Sequence, residues 1–353
     1  MTTTPITQGL VCPVPLSDTE RVLLGHGSGG KLSAALLRDR FLPHLANPAL
    51  AALGDAALVA VQGHELAVST DTFVVSPIEF PGGNIGSLAV HGTLNDLAMM
   101  GAEPVCLSAG FILEEGLPFD VLDRVVAAMG AAARAVGVPV VTGDTKVVER
   151  GKADRMFINT TGLGLRRAGG GPAPDRARPG DRVLVSGPIG RHGMAIMAER
   201  EGIGFESRIE SDSAALWPLV QPLLERLGPD LHVLRDPTRG GVASALNEIA
   251  AASRVGVTLE EGVIPVPTAV AAACEMLGLD PLYVANEGIF AAFVTAERAE
   301  EALGLLRSHP LGSEAAIIGQ VTNDHPGFVI LRTGLGGTRV VDLLPGDQLP
   351  RIC

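Results

Sequence analysis

A stretch rich in glycine and proline divides this chain of 353 residues into two parts of similar length. It begins with Gly169-Gly170-Gly171-Pro172-Ala173-Pro174 and ends near Pro179-Gly180. This composition favours neither helix nor strand and is typical of a linker between domains of about 150 residues each. The predicted parts are an N-terminal arm over 1–24, a first domain over 25–168, a linker over 169–180, a second domain over 181–335 and a flexible C-terminal tail over 336–353.

Both domains are predicted to belong to the α/β class. Aromatic residues make up 3 % of the chain and hydrophobic residues 46 %, so the cores must consist mainly of Ala, Val, Leu and Ile. Apolar residues at helical spacing alternate with short apolar runs of strand length. The predicted elements include helices over 85–100, 120–136, 211–227 and 241–253, and strands over 104–113, 156–165 and 182–186.

Three short strands of the first half carry an aspartate after a small residue, and valine closes each strand. They are Gly54-Asp55 to Val59, Thr70-Asp71 to Val75, and Gly143-Asp144 to Val148. Carboxylates near a core cost free energy unless they are paired or bind a cation. Magnesium is held by carboxylates together with substrate phosphates, so the pattern favours a nucleotide site. The alternative is a set of solvated turn aspartates, the interpretation that we give to the loosely similar Gly180-Asp181.

Two glycine-rich loops lead into helices, one in each half of the chain. The first is Gly25-His26-Gly27-Ser28-Gly29-Gly30-Lys31, and the second is Asp236-Pro237-Thr238-Arg239-Gly240-Gly241. Backbone N–H groups at such positions can bind phosphate. The first loop lacks the P-loop pattern, and taken alone it is equally consistent with a flexible turn.

Two further polar positions lie beside apolar segments. Asp96, in the pair Asn95-Asp96, falls off the apolar face of the helix predicted over 85–100. It is therefore either solvated or directed into a cleft. Glu287 directly precedes the apolar run 289–294, where a carboxylate could serve as a base. An exposed turn residue is the alternative for Glu287.

The last residue of the chain is a cysteine, Cys353. A prenylation box needs its cysteine fourth from the end, so this modification is excluded. From Gly346 onward an extended chain would span roughly 25 Å, enough to carry a thiol between two sites. A disordered tail that happens to end in cysteine is the alternative. Cys106 and Cys274 lie in apolar runs and are predicted to be buried hydrophobic residues.

The charge balance and the hydropathy exclude several classes of protein. The net charge of −12 argues against general nucleic-acid binding, because affinity for the phosphate backbone requires clustered lysine and arginine. No apolar run reaches the roughly 20 residues needed to span a bilayer. The segment 1–9 is polar and lacks the apolar region of a signal peptide. We predict a cytoplasmic protein that contacts neither nucleic acid nor membrane.

Taken in order, these motifs resemble the HypE family of hydrogenase expression/formation proteins, which are maturation factors of nickel–iron hydrogenases. That family belongs to the superfamily of aminoimidazole ribonucleotide synthetase, selenophosphate synthetase and thiamine-monophosphate kinase. The resemblance runs from about residue 21 to the last residue. The motifs that carry it are His26 to Lys31, Ser69 to Val75, Pro81 to Gly86, Gly92 to Ala98, Thr142 to Val148, Asp236 to Gly241 and Pro350-Arg351-Ile352-Cys353.

The resemblance implies a two-domain fold like that of aminoimidazole ribonucleotide synthetase, with N-terminal half-barrels from two subunits completing a β-barrel across a homodimer. It also implies ATP and Mg²⁺ as cofactors. In the family, the carbamoyltransferase HypF places a carbamoyl group on the terminal thiol. ATP then drives dehydration of the S-carboxamide to a thiocyanate, and the cyano group passes to iron held by the HypC–HypD scaffold complex.

The resemblance also assigns roles to single residues. Cys353 is the expected carrier, Lys146 the contact to phosphate or to the activated carboxamide, and Glu287 the candidate base. The expected metal positions are Asp55, Asp71, Asp96 and Asp144, and the expected cofactor-binding positions are Gly27, Gly29, Gly30, Lys31, Asp71, Asn95, Asp96, Asp144 and Asp236. Two other functions stay open, a kinase for a diffusing small molecule and a non-enzymatic cyanide carrier. The terminal cysteine argues against the first and the set of aspartates against the second.

Overall fold

The computed structural model describes residues 21–353 except residues 28, 167–169, 204–207, 345–348 and 350. The first twenty residues of the predicted arm, and parts of the predicted linker and tail, lie outside these ranges. Strands and helices occur together in both halves of the chain, as the α/β class predicts. Among the described residues, no helix combines the length and the hydropathy required to cross a membrane.

The first half is built around a five-stranded sheet. The strands of this half are β1 (Ala57–Val61), β2 (His64–Phe73), β3 (Glu79–Phe80), β4 (Gly83–Asn84), β5 (Ala102–Glu114), β6 (Val140–Val148) and β7 (Met156–Arg166). The sheet has the order β1-β2-β7-β5-β6, and β3 pairs only with β4 in a short hairpin. All neighbours in the large sheet are antiparallel except β5 and β6, which are parallel.

Helices cover one face of this sheet. The helices of the first half are α1 (Lys31–Leu36), α2 (Leu42–Leu45), α3 (Ile85–Met99) and α4 (Phe119–Ala135). Helix α3 begins at a capping box formed by Asn84 and Ser87, and it packs against β2, β5 and β7. Helix α4 packs on α3 so closely that a Cβ atom at Gly86 would lie 2.2 Å from the Val125 carbonyl oxygen.

The opposite face of the first sheet is open. Strand β6 forms one edge and is exposed along almost its whole length. Large apolar side chains on this face and edge are exposed, among them Ile112, Leu163 and Val147. An open sheet with an apolar face and an uncovered edge is a surface that proteins normally cover, so its shape agrees with the predicted half-barrel.

The second half contains a seven-stranded sheet. Its strands are β8 (Arg182–Val185), β9 (Leu231–Arg235), β10 (Gly256–Glu260), β11 (Ala291–Val294), β12 (Ala316–Thr322), β13 (Val329–Arg332) and β14 (Thr338–Val341), in the order β14-β13-β10-β12-β8-β11-β9. Because β14 pairs antiparallel with β13 along four residues, the predicted domain boundary at residue 335 is wrong. The second domain extends at least to Val341.

The described second half also contains the helices α5 (Arg191–Glu201), α6 (Trp217–Leu227), α7 (Gly241–Ser253), α8 (Thr268–Leu277) and α9 (Ala299–Arg307). Helices α6, α7 and α9 pack against the second sheet, whereas the buried apolar side chains of α5 and α8 belong to one cluster with residues of the first half. The limits of α7 are those predicted, whereas α6 begins at Trp217 and not at residue 211. The intervening segment crosses to the first half, where the Ser211 amide donates to the Pro81 carbonyl oxygen at 2.9 Å.

Helix α3 lies between the two halves of the molecule. Twelve of its residues are buried, because the first sheet covers one side and the second half covers another. Ala98 and Met99 belong to the same buried cluster as Leu219 and Leu223 of α6. This contact brings Asp96 of α3 next to the loop that follows β9.

Candidate functional site

Three aspartates from distant parts of the chain meet where the two halves come together. Asp55 precedes β1, Asp96 lies on α3 and Asp236 follows β9. One carboxylate oxygen from each lies within 4.8 Å of the others. Asp55 and Asp96 were predicted as metal positions and Asp236 as a cofactor-binding position, and the structure brings all three into one cluster.

One arginine supplies the nearest positive charge. Arg235 Nη1 lies 2.5 Å from Asp55 Oδ1, and its Nη2 donates to Glu248 Oε2 at 2.6 Å. Asp96 Oδ2 accepts a hydrogen bond from the Ser69 hydroxyl at 2.5 Å. Sequence reasoning missed Arg235, because nothing local to it indicates that it faces an aspartate from the other half.

The electrostatics of the cluster show an excess of negative charge. Burial, reinforced by the charges of Asp236 and Glu248, raises the pKa of Asp55 to about 8 although Arg235 opposes the shift. Burial likewise raises the pKa of Asp236 to about 6, and burial with the neighbouring aspartates raises the pKa of Asp96 well above its ordinary value. Like charges held this closely need a cation, and oxygen ligands of this kind are those that Mg²⁺ prefers.

Two more carboxylates lie beside the cluster. Asp71 is on β2, and its charge contributes to the raised pKa values of Asp96, Asp236 and Glu287. Glu287 is 2 % exposed, and burial is the main reason that its pKa lies well above its ordinary value. A Cβ atom at Gly92 would lie 2.9 Å from the Phe73 ring and 3.8 Å from Glu287 Oε2, so only glycine lets Phe73 pack this closely against α3 beside the carboxyl group.

Asp212 is a buried acid that sequence reasoning also missed. Its carboxylate accepts hydrogen bonds from the backbone amides of Glu287 and Gly288 at 3.0–3.3 Å. Burial nevertheless raises the pKa of Asp212. These bonds fix the backbone that presents Glu287, which explains why this glutamate is buried at a strand entrance and is not an exposed turn residue.

The two glycine-rich loops, predicted separately in the two halves, contact each other. Arg239 Nη1 donates to the Gly27 carbonyl oxygen at 2.6 Å. A Cβ atom at Gly29, whose φ is +77°, would lie 3.2 Å from Arg239 Cβ. Gly30 directly precedes α1, and Lys31 Nζ forms an ion pair with Asp342 Oδ2 at 2.7 Å. The two loops therefore form one continuous border beside the carboxylate cluster.

Asn95, a predicted cofactor-binding residue, has a structural role in this chain. Its side-chain nitrogen donates to the Ala214 and Glu287 carbonyl oxygens at 3.0 and 3.3 Å. Its side-chain oxygen accepts from the Leu216 amide at 2.8 Å. The amide is 1 % exposed and both of its polar atoms are engaged, so it holds the segment before α6 against α3.

Asp144 and Lys146 lie apart from the carboxylate cluster. Both side chains are 70 % exposed, and Lys146 Nζ lies 2.6 Å from Asp144 Oδ2. Hydrogen bonds from Lys146 and from the Thr145 amide lower the pKa of Asp144. With Thr72, Asn159 and other residues the pair lines a shallow cavity of about 230 Å³ at the open edge of the first sheet. Asp144 was predicted as a metal position together with Asp55, Asp71 and Asp96. Within one chain, however, it lies outside the cluster of Asp55, Asp96 and Asp236.

The last three residues of the chain are docked against the fold. The Val74 amide donates to the Cys353 carbonyl oxygen at 3.1 Å, and the Ser76 amide donates to the Arg351 carbonyl oxygen at 3.2 Å. Ile352 is 1 % and Cys353 is 9 % exposed, and both belong to the buried cluster that contains Phe73. An apolar side chain and paired backbone groups give the tail a defined position.

The other cysteines of the described part of the chain have different environments. Cys274 is buried, as predicted, and it belongs to the same large cluster as Phe73 and Cys353. Burial raises the pKa of its thiol to about 11. Cys106 is only partly buried, at the bulge where β5 meets β7. Cys12 lies outside the described residues.

Comparison with known proteins first defines the class. The N-terminal domain model of the AIR synthase related proteins matches residues 53–166, and the C-terminal domain model matches residues 178–332. The chain is thus a two-domain protein of the AIR synthase related class, and the predicted fold class is confirmed.

Individual relatives then define the family. Carbamoyl dehydratase HypE of Rhizobium leguminosarum bv. viciae is 53 % identical over 333 residues, which cover 94 % of this chain and 95 % of that protein. The crystal structure of a HypE–HypF complex contains a chain with a TM-score of 0.84 and 45 % identity, covering 88 % of this chain and 100 % of that one. A HypE structure in complex with ATP has a TM-score of 0.80 and 52 % identity, with coverages of 94 % and 100 %. The chain belongs to the HypE family, as its motifs predicted.

Proposed function

We propose that this chain is an ATP-dependent carbamoyl dehydratase of nickel–iron hydrogenase maturation that carries its substrate on the Cys353 thiol. The observation that carries this proposal is the docked chain end, which holds Cys353 in one buried cluster with Phe73. Gly92 separates Phe73 from the carboxyl group of Glu287. A kinase for a diffusing small molecule would have no use for its own last residue at this position. The HypE relative named above is a carbamoyl dehydratase, and a related HypE binds ATP.

The reaction consumes ATP to remove one water from an S-carboxamide. HypF first transfers the carbamoyl group to the thiol, giving S–C(=O)–NH₂. The amide oxygen attacks the terminal phosphorus of ATP, and ADP leaves. The nitrogen then loses two protons, the C–O bond breaks and phosphate departs, which leaves S–C≡N. Phosphorylation is required because an amide oxygen is a poor leaving group, and catalysis of phosphoryl transfer rests mainly on positioning and charge.

The three clustered aspartates, Asp55, Asp96 and Asp236, are the proposed magnesium site, with Asp71 beside them. They fit the ion because their oxygens lie within 4.8 Å of one another and because burial and the neighbouring carboxylates raise their pKa values, a cost that a bound cation would offset. Bound there, Mg²⁺ would neutralise charge on the phosphates of ATP. The chain itself contributes the geometry, since Arg235 and Ser69 hold Asp55 and Asp96 in place.

The two glycine-rich loops are the proposed binding site for the nucleotide phosphates. The first loop leads into α1 and the second into α7, which begins at Gly241. The Gly29 amide donates to the Ser33 hydroxyl at 2.9 Å, so it would have to exchange this bond for one to phosphate. Lys31 is 16 % exposed and paired with Asp342, so its contribution is to hold the first loop against the segment that precedes the tail. Arg239 ties the loops together and adds positive charge at this border.

Glu287 is the proposed base for the nitrogen protons. A general base must lie within reach of the proton and must have a pKa suited to accept it. Burial and the neighbouring carboxylates raise the pKa of Glu287, which makes its carboxylate a stronger proton acceptor.

Asp144 and Lys146 are proposed to act in a homodimer. In one chain they lie on an exposed edge strand, next to the open apolar face of the first sheet. A second copy that covers this face would bury the pair and bring Lys146 to a composite site, where it would contact phosphate or the activated carboxamide. Closure of an exposed sheet edge by another copy is a common solution for such a surface.

The partners proposed for this chain are HypF and the HypC–HypD scaffold. HypF supplies the carbamoyl group, and a relative forms a complex with HypF. The scaffold is the proposed acceptor of the cyano group. A thiol carrier must stay reduced, which favours the cytoplasm as the place of reaction.

Intact-mass measurement tests the function. The purified chain is first incubated with HypF, carbamoyl phosphate and limiting ATP, and its intact mass is measured. Excess ATP is then added, and the intact mass is measured again. The expected result is a carbamoyl adduct on Cys353 that then loses the mass of one water. Cys353→Ala should take up no adduct while it retains its fold and ATP binding. An adduct on Cys353→Ala at another cysteine would overturn the proposal.

A further inference from the structure

Helix α5 holds the end of the chain from the side opposite to β2. His192 Nε2 lies 3.0 Å from the Ile352 carbonyl oxygen, and Arg200 Nη2 donates to the Arg351 carbonyl oxygen at 2.8 Å. The Val74 and Ser76 amides also donate to this segment. The main-chain oxygens of the last three residues therefore all accept hydrogen bonds from elsewhere in the protein. The hydrogen bonds of His192 and Arg200 to the tail both go to its main-chain oxygens.

The two residues of α5 share one face of the helix. His192 and Arg200 are each one turn away from Ile196, at the i, i+4 spacing that places side chains next to each other. Ile196 is completely buried in the cluster that contains Ile352 and Cys353. Arg200 also donates to the Ser76 carbonyl oxygen at 2.7 Å, so it connects the tail to the strand segment on its other side.

His192 can make its contact in only one tautomer. A carbonyl oxygen only accepts hydrogen bonds, so Nε2 must carry the proton that it donates to Ile352. Nδ1 is then the acceptor for the Ser211 hydroxyl at 2.8 Å. The ring is also held edge-on against Phe80, with centroids 5.6 Å apart. Such a fully bonded, buried imidazole has a fixed orientation, and nothing in the reaction proposed above employs it.

We propose that His192 and Arg200 form a tail latch, a pair of positioning residues that holds Cys353 in the dehydration position and must release it before HypF can load the thiol. This inference rests on the proposed function of Cys353 as carrier. Because the latch binds backbone carbonyl groups, it holds the empty, carbamoylated and cyanated forms of the tail alike. Release is therefore governed by the partner that captures the tail and not by the chemistry on sulfur.

The latch predicts opposite effects on the two half-reactions. A weakened latch exposes the thiol more often, so alkylation of Cys353 and loading by HypF become faster. The same change lowers the population of the docked tail, so dehydration of a preloaded chain becomes slower. A residue that only supported the fold would slow both steps together. The loss of one hydrogen bond corresponds to about three- to tenfold in each direction.

The test uses the full chain with His192→Phe, which keeps an aromatic ring against Phe80 but removes the donor. Loading is followed as the sum of carbamoylated and cyanated protein by intact mass, and dehydration as a single turnover of preloaded protein after addition of Mg-ATP. Alkylation of Cys353 by iodoacetamide is followed by peptide mapping. His192→Gln, which restores a donor, should recover most of both rates. Glu199→Gln, on the exposed side of the same helix, is the matched control and should match the wild type.

Faster loading and alkylation with slower dehydration, at an unchanged thermal midpoint, would support the latch. A parallel fall of both rates, or no change in either, would overturn it. If His192→Phe does not fold, Arg200→Met provides an independent test. It too should show faster loading and alkylation together with slower dehydration. The alkylation arm needs no HypF, so it still tests the latch if the carbamoyl group proves to lie elsewhere and the proposed carrier function fails.

Discussion

Asp55 and Asp144 follow glycine in the same local sequence pattern, yet the structure places them in opposite environments. The Asp55 side chain is 8 % exposed and pairs with Arg235 from the other half of the chain. The Asp144 side chain is 70 % exposed and pairs with Lys146, only two residues further on. Burial raises the pKa of Asp55 to about 8, whereas hydrogen bonds lower the pKa of Asp144.

The difference arises from what covers each part of the first sheet. The second half of the same chain contacts the region of Asp55 and supplies Arg235 and Asp236. None of the described residues covers β6 in this way, and its side chains remain exposed. A short pattern thus specifies an aspartate at a strand, but contacts distant in sequence decide its charge state. In the function proposed above, the buried region holds a cation, and the exposed region is covered by a second subunit.

The largest effect is expected for Asp96→Asn in the buried region. This change removes one of three clustered carboxylates and should reduce dehydration by more than about 100-fold, the upper range for the loss of even an indirect metal partner. Because ionised Asp96 is disfavoured by burial and by like charges, the metal-free variant should unfold at a higher temperature than the wild type. Thermal unfolding with and without Mg²⁺ measures the change in stability, and a single turnover of preloaded protein with Mg-ATP measures the loss of activity.

The wild type should gain thermal stability on addition of Mg²⁺, and Asp96→Asn should lose this response. Asp123→Asn, an exposed acidic position on α4, is the matched control and should respond like the wild type. A full magnesium response in Asp96→Asn would show that the cluster does not hold the ion.

The next effect concerns the exposed region and its proposed partner copy. Leu163→Asp places a charge on the open face of the first sheet, where Leu163 is 39 % exposed. We expect a monomer at micromolar concentration with dehydration reduced by about tenfold or more, since one buried, unpaired charge at an interface costs several kcal/mol. Sedimentation measures the association, and the magnesium response of the buried region should persist in the monomer.

Leu335→Asp provides the control for this change. Leu335 is fully exposed at the hairpin between β13 and β14, far from the open face in the fold. It should leave both association and activity unchanged. If the wild type and Leu163→Asp both sediment as monomers, and Leu163→Asp retains activity, the open face is not a dimer interface. Asp144 and Lys146 would then not act through such an interface.

Much of the fold could be predicted because its signals are local. Helix α3 was predicted over 85–100 and runs from Ile85 to Met99, with a capping residue and a terminal glycine that mark both ends. Helix α7 has the predicted limits. The start of α6 was wrong because Ser211 and Leu216 donate to Pro81 and Asn95 of the first half, and such contacts replace the helix that propensity favours.

The site was predictable in its residue types but not in its grouping. Asp55, Asp96 and Asp236 were all identified, yet only the packing of α3 against the second half shows that they form one cluster. Asp181, assigned to an ordinary turn, does turn the chain, but it is buried and pairs with His232 at 2.8 Å. The docked tail could not be foreseen, because its partners on β2 and α5 lie more than a hundred residues away.

A smaller effect is expected from pH, because buried histidines and the exposed Asp144 lose their contributions to stability in different pH ranges. Burial lowers the pKa of His91 and of His192 to about 4 in the folded protein. The unfolded chain therefore binds more protons between pH 6.5 and pH 4, and folding stability falls as the pH decreases through this range. Compared with His192→Gln, the wild type should lose up to about 1.4 kcal/mol more per pH unit of acidification.

Urea unfolding of both proteins between neutral pH and pH 5 measures this difference. Lys146→Gln, in the exposed region, is the comparison, because Asp144 has a lowered pKa and its contribution is lost only under more acidic conditions. Its pH profile above pH 5 should run parallel to that of the wild type. If the unfolding free energy of His192→Gln also changes with pH in parallel with that of the wild type, His192 is not held in its neutral form in the folded protein.

The smallest effect is expected for Asp144→Asn in the monomeric Leu163→Asp background. Without a second copy, the pair of Asp144 and Lys146 is solvated on both sides, and solvated ion pairs of this kind contribute little to stability. The urea midpoint of unfolding should therefore equal that of Leu163→Asp alone. The magnesium-induced rise in unfolding temperature should not change at all, because Asp144 lies outside the cluster of Asp55, Asp96 and Asp236 within one chain. A clear loss of the magnesium response in this monomer would place Asp144 at the ion without any partner, and the two regions would then be one site.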